Sequence, residues 1–250
     1  MTYDIDYVFH LFDSLNPAAM IGFFGSFTAF MIYYVEALRV GAKHKTAAMP
    51  WQVNMWNMAN DILFVAAAAK WLSSDSPTHH WLTVLQWTGM AFWFFMELAV
   101  HLQAIRWDLP EILPHVTNRL HAIMLYVAIQ ITFIIGYGFL LNAIDDPLVI
   151  IMITTTYVTC CAFNLGFLRS RGSRRGVSQG LVWSLVAAEV TWFFVYLPQI
   201  SPSWASSPWL YLLGTVCTVL SVLYALAYQR APKWMPTDAA VAPVSQVANA

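Results

Sequence analysis

The sequence predicts an all-α integral membrane protein. It reads as a bundle of seven transmembrane helices, with the N-terminus outside and the C-terminus cytoplasmic. Three observations predict this. Of 250 residues, 59% are hydrophobic and 10% charged, against about 25% charged in an ordinary soluble domain. Apolar stretches near the ~20 residues that span a bilayer as a helix recur along the chain. Every Lys and Arg except Lys70 falls on one side of the resulting alternation, as the positive-inside rule requires. The same composition excludes a disordered chain, an ordinary soluble enzyme and a nucleic-acid binder. Net charge is −1, so no basic excess exists to neutralise phosphates.

The elements follow in order. Met1–Asn16 carries Asp4, Asp6 and Asp13 without Lys or Arg, so it reads as an outer segment and not a cleavable signal peptide. The first span is Pro17–Leu38, followed by Arg39, Lys43 and Lys45. Trp51–Leu72 is the second and His80–Ile105 the third, with Arg106 and Arg119 beyond it. Asn118–Leu141 and Pro147–Leu168 are the fourth and fifth, followed by Arg169, Arg171, Arg174 and Arg175. Gly180–Ile200 and Pro208–Tyr228 complete the set before Arg230 and Lys233. Continuous apolar runs of this length are helices, since barrel strands alternate over about ten residues. The chain therefore divides into an outer segment (1–16), a seven-helix domain (17–229) and a cytoplasmic tail (230–250) expected to be disordered. Cys160, Cys161 and Cys217 lie inside apolar runs, so no disulfide framework is implied.

Intramembrane carboxylates are costly and mark function by default. Glu36 precedes Arg39 by three residues and reads as an interfacial ion pair. Glu97 precedes His101 by four, as either a structural hydrogen bond or a proton-handling pair. Asp61 is near the centre of the second span. Asn54, Asn57 and Asp61 recur at i, i+3 and i+7 and form one stripe, with Asn60 beside it. Lipid cannot satisfy these groups, so the stripe must face the bundle interior. Interhelical polar glue explains the amides but not a central carboxyl. Glu189 lies in the middle of the sixth span, with Trp192 and Tyr196 on its face. By depth, Gln130, Cys160 and Thr218 reach the same level, which suggests a midplane cavity. A protonated carboxyl in such a pocket is a Brønsted acid.

Aromatic residues make up 16% of the chain, 12 of them Trp. Trp51, Trp71, Trp81, Trp107, Trp204, Trp209 and Trp234 read as interfacial anchors. Trp56, Trp87, Trp93, Trp183 and Trp192 lie deeper, where aromatic faces stabilise cations or simply pack. The histidines are too scattered for a metal site. Asp145–Asp146 before Pro147 reads as a helix cap. No cofactor and no metal is expected.

A retinal protein would need a lysine in the last span, and Trp209–Tyr228 has none. A different resemblance holds. Lys43-His44-Lys45-Thr46-Ala47-Ala48-Met49 resembles a K-H-x-T-x-A-M segment. Asn57-Met58-Ala59-Asn60-Asp61-Ile62 resembles N-x-A-x-[D/E]-I on a second helix. Arg171-Gly172-Ser173-Arg174-Arg175-Gly176-Val177-Ser178 resembles R-G-S-x-R-G-x-S before a sixth. In that order they are similar to the membrane-integral terpene cyclases of meroterpenoid and indole-diterpene biosynthesis, the pyripyropene and paxilline type, and their bacterial relatives. The resemblance implies metal-free, proton-initiated cyclisation of a prenylated substrate, with Asp61 as the acid. That family's second acid, in the last helix, falls near Thr218, which is not acidic. Glu189 or Glu97 would then take its place, or the chemistry has diverged.

The expectation is thus an isomerase- or lyase-type enzyme. Asp61, Glu189 and Glu97 are its candidate catalytic residues. Asn54, Asn57, Trp93, His101, Gln130, Trp192, Tyr196 and Thr218 are its candidate substrate contacts. Expected partners are a lipophilic prenylated molecule and membrane lipid, in a bacterial plasma membrane or an endomembrane. The alternatives are a seven-helix small-solute transporter, although neither an internal repeat nor frequent Gly/Pro helix breaks are visible, and a structural or chaperone subunit.

Overall fold

A computed structural model describes residues 3–235, so residues 236–250 of the expected disordered tail lie outside the described residues. Helices are the only regular elements among those residues. A short helix α1 (Ile5–Asp13) precedes the first long helix and is capped by the Asp4 carboxylate. The long elements are α2 (Pro17–His44), α5 (Trp81–Gln103), α7 (Arg119–Ala143), α8 (Ile150–Arg171), α9 (Gln179–Val190) and α12 (Pro208–Arg230). The second expected span is split into α3 (Trp51–Ala66) and α4 (Ala68–Leu72). Short helices α6 (Leu109–Ile112), α10 (Leu197–Ile200) and α11 (Pro202–Ala205) complete the chain. Among the described residues, six helical segments are long and apolar enough to cross a membrane, namely Pro17–His44, Trp81–Ile112, Arg119–Ala143, Ile150–Arg171, Gln179–Ile200 and Pro208–Arg230.

The split of α3 from α4 has a local cause. The chain turns at Ala67, and Trp71 stacks on Phe64 with ring centroids 4.5 Å apart. Its indole N–H donates to the Phe64 carbonyl at 3.1 Å. The Lys70 carbonyl accepts from the hydroxyls of Ser76 and Thr78. Trp71 and Trp204 are 1% and 5% exposed, so both rings are packed against protein. Trp183, deeper along its span, is 41% exposed and is not part of the packed interior.

Two helices widen into single π-helical turns, at Ala104–Asp108 and Thr191–Tyr196. Each is followed two residues later by proline, Pro110 and Pro198. Proline lacks the N–H that the residue four earlier would accept, and its ring crowds that carbonyl. The wider turn absorbs both effects.

Packing closes six elements into a ring: α2 against α5, α5 against α3, α3 against α8, α8 against α12, α12 against α9, and α9 back against α2. Helix α7 stands outside this ring, packed on α3. Only 11% of its apolar window is buried, and Met124, Val127, Ile131, Ile135 and Phe139 are exposed. A helix apolar all round yet left uncovered fits a lipid environment. At Gly22 on α2 an added Cβ would come within 2.6 Å of the Tyr196 backbone. Glycine there lets α2 lie directly on the second π-turn.

The loops before α3 and α9 interlock at one end of the ring. Asp108, 2% exposed, accepts from the Thr46 hydroxyl, from the Ala47 N–H at 2.6 Å and from Arg171 at 2.8 Å. Arg171 also donates to the Ala47 carbonyl at 2.9 Å, and the Gly176 N–H donates to His44 Nδ1 at 3.0 Å. Gly176 has φ +75°, and a Cβ there would strike Arg171. Two of the three segments that carry the family likeness are thus one structural clasp. Glu36 pairs with Arg39 as expected, and it also accepts from the Ser178 hydroxyl at 2.6 Å. Asp146 fulfils the expected capping role. It accepts from the Met152 N–H at the start of α8 and from the Tyr3 hydroxyl at 2.6 Å.

Candidate functional site

The ring encloses a cleft of about 620 Å³, counted out to its mouth. It is narrow and partly open, with room for only a few waters. Its walls are aromatic: Phe23, Phe27 and Phe30 on α2, Trp93 on α5, Tyr157 on α8, and Trp192 and Tyr196 on the second π-turn. Tyr157 stacks on Trp192 with centroids 4.7 Å apart, and Phe27 meets Trp93 at 4.5 Å.

Two carboxyls share this cleft, Asp61 from α3 and Glu97 from α5. They are 3% and 1% exposed. One oxygen of Asp61 accepts from the Asn60 amide at 3.0 Å, and the other has no partner. Asn60 is fixed in turn by the Tyr137 hydroxyl of α7, which donates to its carbonyl oxygen. One oxygen of Glu97 accepts from the Tyr34 hydroxyl, and the other has no partner. The Asn57 amide donates to the Tyr34 oxygen at 2.9 Å and lies 3.9 Å from the Cys160 sulfur. Each carboxyl therefore has one oxygen anchored and one free.

The expected residues divide into those the fold gathers and those it does not. Asp61, Glu97, Asn57, Trp93, Trp192 and Tyr196 line the cleft together. Glu189 is fully buried with both oxygens unpartnered and does not line the cleft. Thr218, also on α12, and Gln130, which donates to the Met55 carbonyl at 3.0 Å, stand away as well. The midplane cavity expected from depth alone is therefore not formed by Gln130, Cys160 and Thr218. Equal depth does not imply a common direction around the helix axes. Asn54 is buried beside Tyr126 and His101 rather than in the cleft. His101 pairs with the Tyr126 hydroxyl at 2.7 Å and not with Glu97.

Sequence reasoning missed Tyr34, Tyr137 and Asp108. Tyr34 was legible only as one more aromatic in an apolar run. Its partners come from α3 and α5, which no spacing within α2 reveals. Asp108 carried a weak signal, a lone acid in Arg106-Trp107-Asp108-Leu109-Pro110. No group of three or more His, Cys, Asp or Glu that could hold a metal occurs among the described residues.

Helix α1 covers the end of the cleft where Phe23 and Tyr196 lie. Phe12 packs edge-on against Phe23 and Tyr196, at 5.5 and 6.4 Å between centroids. Asp13 latches it, accepting from Trp81 Nε1 at 2.9 Å and pairing with His80 Nε2 at 3.0 Å. The Trp81 hydrogen bond holds the Asp13 carboxyl below its ordinary value of 3.8. A depressed folded value means that the latch stabilises above the ordinary value. That contribution is lost as pH falls through the folded one. Amide exchange should therefore show α1 losing protection relative to α12 below about pH 4. Asp13→Asn should make α1 exchange faster at neutral pH and flatten the acid response. An α1 equally protected in both proteins at every pH would remove the latch.

Compared with protein-family models, curated proteins and solved structures, the chain matches none.

Proposed function

We propose that this chain is an integral-membrane enzyme that starts a cyclisation or rearrangement of a prenylated, lipophilic substrate by proton transfer. The terpene cyclase-like segments of the sequence support this class. The observation that carries the reading is the pair of cleft carboxyls, each anchored at one oxygen and free at the other, inside an aromatic wall. In its protonated form Asp61 donates to an epoxide oxygen or an alkene carbon, leaving a carbocation. Ring closure moves the charge along the chain. Loss of a proton to Glu97, which starts as the carboxylate, then gives the neutral product, so the net change is isomerisation, and return of that proton from Glu97 to Asp61 resets the enzyme. Aromatic faces stabilise the cation on the way, and a closed cleft keeps water from quenching it.

Seven spans complete this reading. Helices α3 and α4 together cover about 22 residues, enough for a crossing despite the turn at Ala67. With every Lys and Arg but Lys70 on one side, the N-terminus is outside and the clasp end is cytoplasmic. Substrate enters sideways from the bilayer at the α2–α5 seam, where Phe27 and Trp93 are only half-buried.

The test is product analysis. Membranes carrying the protein are incubated with prenylated phenols, indoles and their epoxides. Isomeric cyclic products are expected. Absence of conversion together with concentrative solute uptake into proteoliposomes would replace the enzyme by a transporter. Tyr34→Phe removes a buried hydrogen bond to a carboxylate, worth about 1.5–3 kcal/mol. Turnover should fall roughly 10- to 100-fold. Unchanged turnover would reduce Tyr34 to packing.

A further inference from the structure

The cleft wall holds two polar groups that the proton transfer does not use, the Gln86 amide on α5 and the Tyr196 hydroxyl on the second π-turn. Gln86 is 8% exposed and Tyr196 2%. Neither group has a hydrogen-bond partner among the described residues, and neither is sealed off by the protein atoms around it. The wall hydroxyls of Tyr34, Tyr157 and Thr156 are spent on Glu97, Ser26 and the Ile153 carbonyl, and the Asn60 amide is spent on Asp61. Buried polar groups are normally satisfied. Two that are unpaired and open to the same cleft are placed to bond what enters it.

Helical register puts both at one end of the cleft. A Cβ on Gly89 would come within 2.6 Å of the Phe27 ring. One turn earlier on each helix, Gln86 therefore stands level with Phe23. The Phe23 and Tyr196 rings are 5.6 Å apart. Eleven residues beyond Gln86 and Phe23 on the same two helices, Glu97 and Tyr34 are hydrogen bonded, about 16 Å away along the axis. Asn57 of α3 meets Tyr34 at that level, and the Val65 carbonyl of α3 accepts from Trp87 beside Gln86. Asp61 falls between these two levels, roughly 8–10 Å along the axis from Gln86.

From this arrangement we infer that Gln86 and Tyr196 form the subsite that holds the substrate's head group and sets its specificity. The head is neutral and carries a hydroxyl. That hydroxyl donates to the Gln86 carbonyl oxygen, and its own oxygen accepts from the Tyr196 hydroxyl. The prenyl chain then runs along the aromatic wall to Asp61. No Lys, Arg or His is among the described residues that line the cleft, so a diphosphate head would be buried without a counter-charge. A plain hydrocarbon would leave both protein groups unpaired. This inference rests on the proposed use of the cleft for a prenylated substrate.

The test uses the full chain in detergent, with binding read by native mass spectrometry and by thermal shift. The probes are a farnesylated phenol, its methyl ether and farnesyl diphosphate. The phenol should bind about tenfold more tightly than the ether, the worth of one hydrogen bond. Gln86→Met should weaken the phenol about tenfold, leave the ether unchanged and so abolish the preference. Tyr196→Phe should weaken both alike and keep the preference, because either oxygen accepts from Tyr196. Asp61→Asn should bind both probes as the wild type does. The proposal is overturned if the phenol does not bind, if phenol and ether bind the wild type equally, if the preference survives Gln86→Met, or if the diphosphate binds more tightly than the phenol. Conversion of the probes without the preference would overturn the subsite and leave the proposed reaction standing. The preference without conversion would support the subsite and remove the reaction.

Discussion

Asp61→Asn should abolish turnover of any substrate the protein converts, by about 10²- to 10⁴-fold, while the protein folds as before. The substitution is isosteric. An asparagine carbonyl oxygen still accepts from the Asn60 amide, so the link to Tyr137 survives. What disappears is the proton that starts the reaction. Thermal unfolding of the purified protein controls for structure, and product analysis reads activity. Glu97→Gln makes a matched comparison, because glutamine can still accept from Tyr34. If the two carboxyls act as donor and acceptor in one reaction, the double variant should be scarcely worse than either single one. Turnover by Asp61→Asn at the wild-type rate would remove the proposed acid. A normal rate in Glu97→Gln alone would move the proton acceptor elsewhere, with Glu189 the next carboxyl to test.

The largest loss of stability should follow removal of Asp108. Its carboxylate is buried and ties the loop before α3 to Arg171 at the end of α8. Asp108→Ala leaves Arg171, 7% exposed, without its main counter-charge. Breaking a buried pair from one side costs about 3–5 kcal/mol. Chemical or thermal unfolding in detergent should show that loss. Replacing the whole pair, Asp108→Leu with Arg171→Met, should recover much of it, because no orphan charge remains. A loss under about 1 kcal/mol for Asp108→Ala would mean that solvent already screens the pair.

Lys43–Met49 and Arg171–Ser178 stand far apart in sequence and are two of the three segments that carry the family likeness. Their residues bond mainly to each other and to Asp108. Only the Asn57–Ile62 segment reaches the cleft, through Asn57, Asn60 and Asp61. The polar stripe on α3 was legible because a helix repeats every 3.6 residues. The choice among carboxyls was not legible. Glu97 and Glu189 are alike in sequence terms, each an acid inside an apolar run. Position around the helix axis sends one into the aromatic cleft and buries the other outside it.

The sequence by itself determined the solvent and the elements. Scarce charge and long apolar runs point to a helical membrane protein, because unpaired backbone groups cannot be left in lipid. It also singled out Asp61, since a carboxyl at that depth has no cheap structural explanation. The tertiary structure decided the rest: which helices close the ring, that Tyr34 and Glu97 join Asp61, that Gln130 and Thr218 do not, and that α3 turns at Ala67. Helical periodicity places a residue on a face, but only packing between helices decides what that face meets.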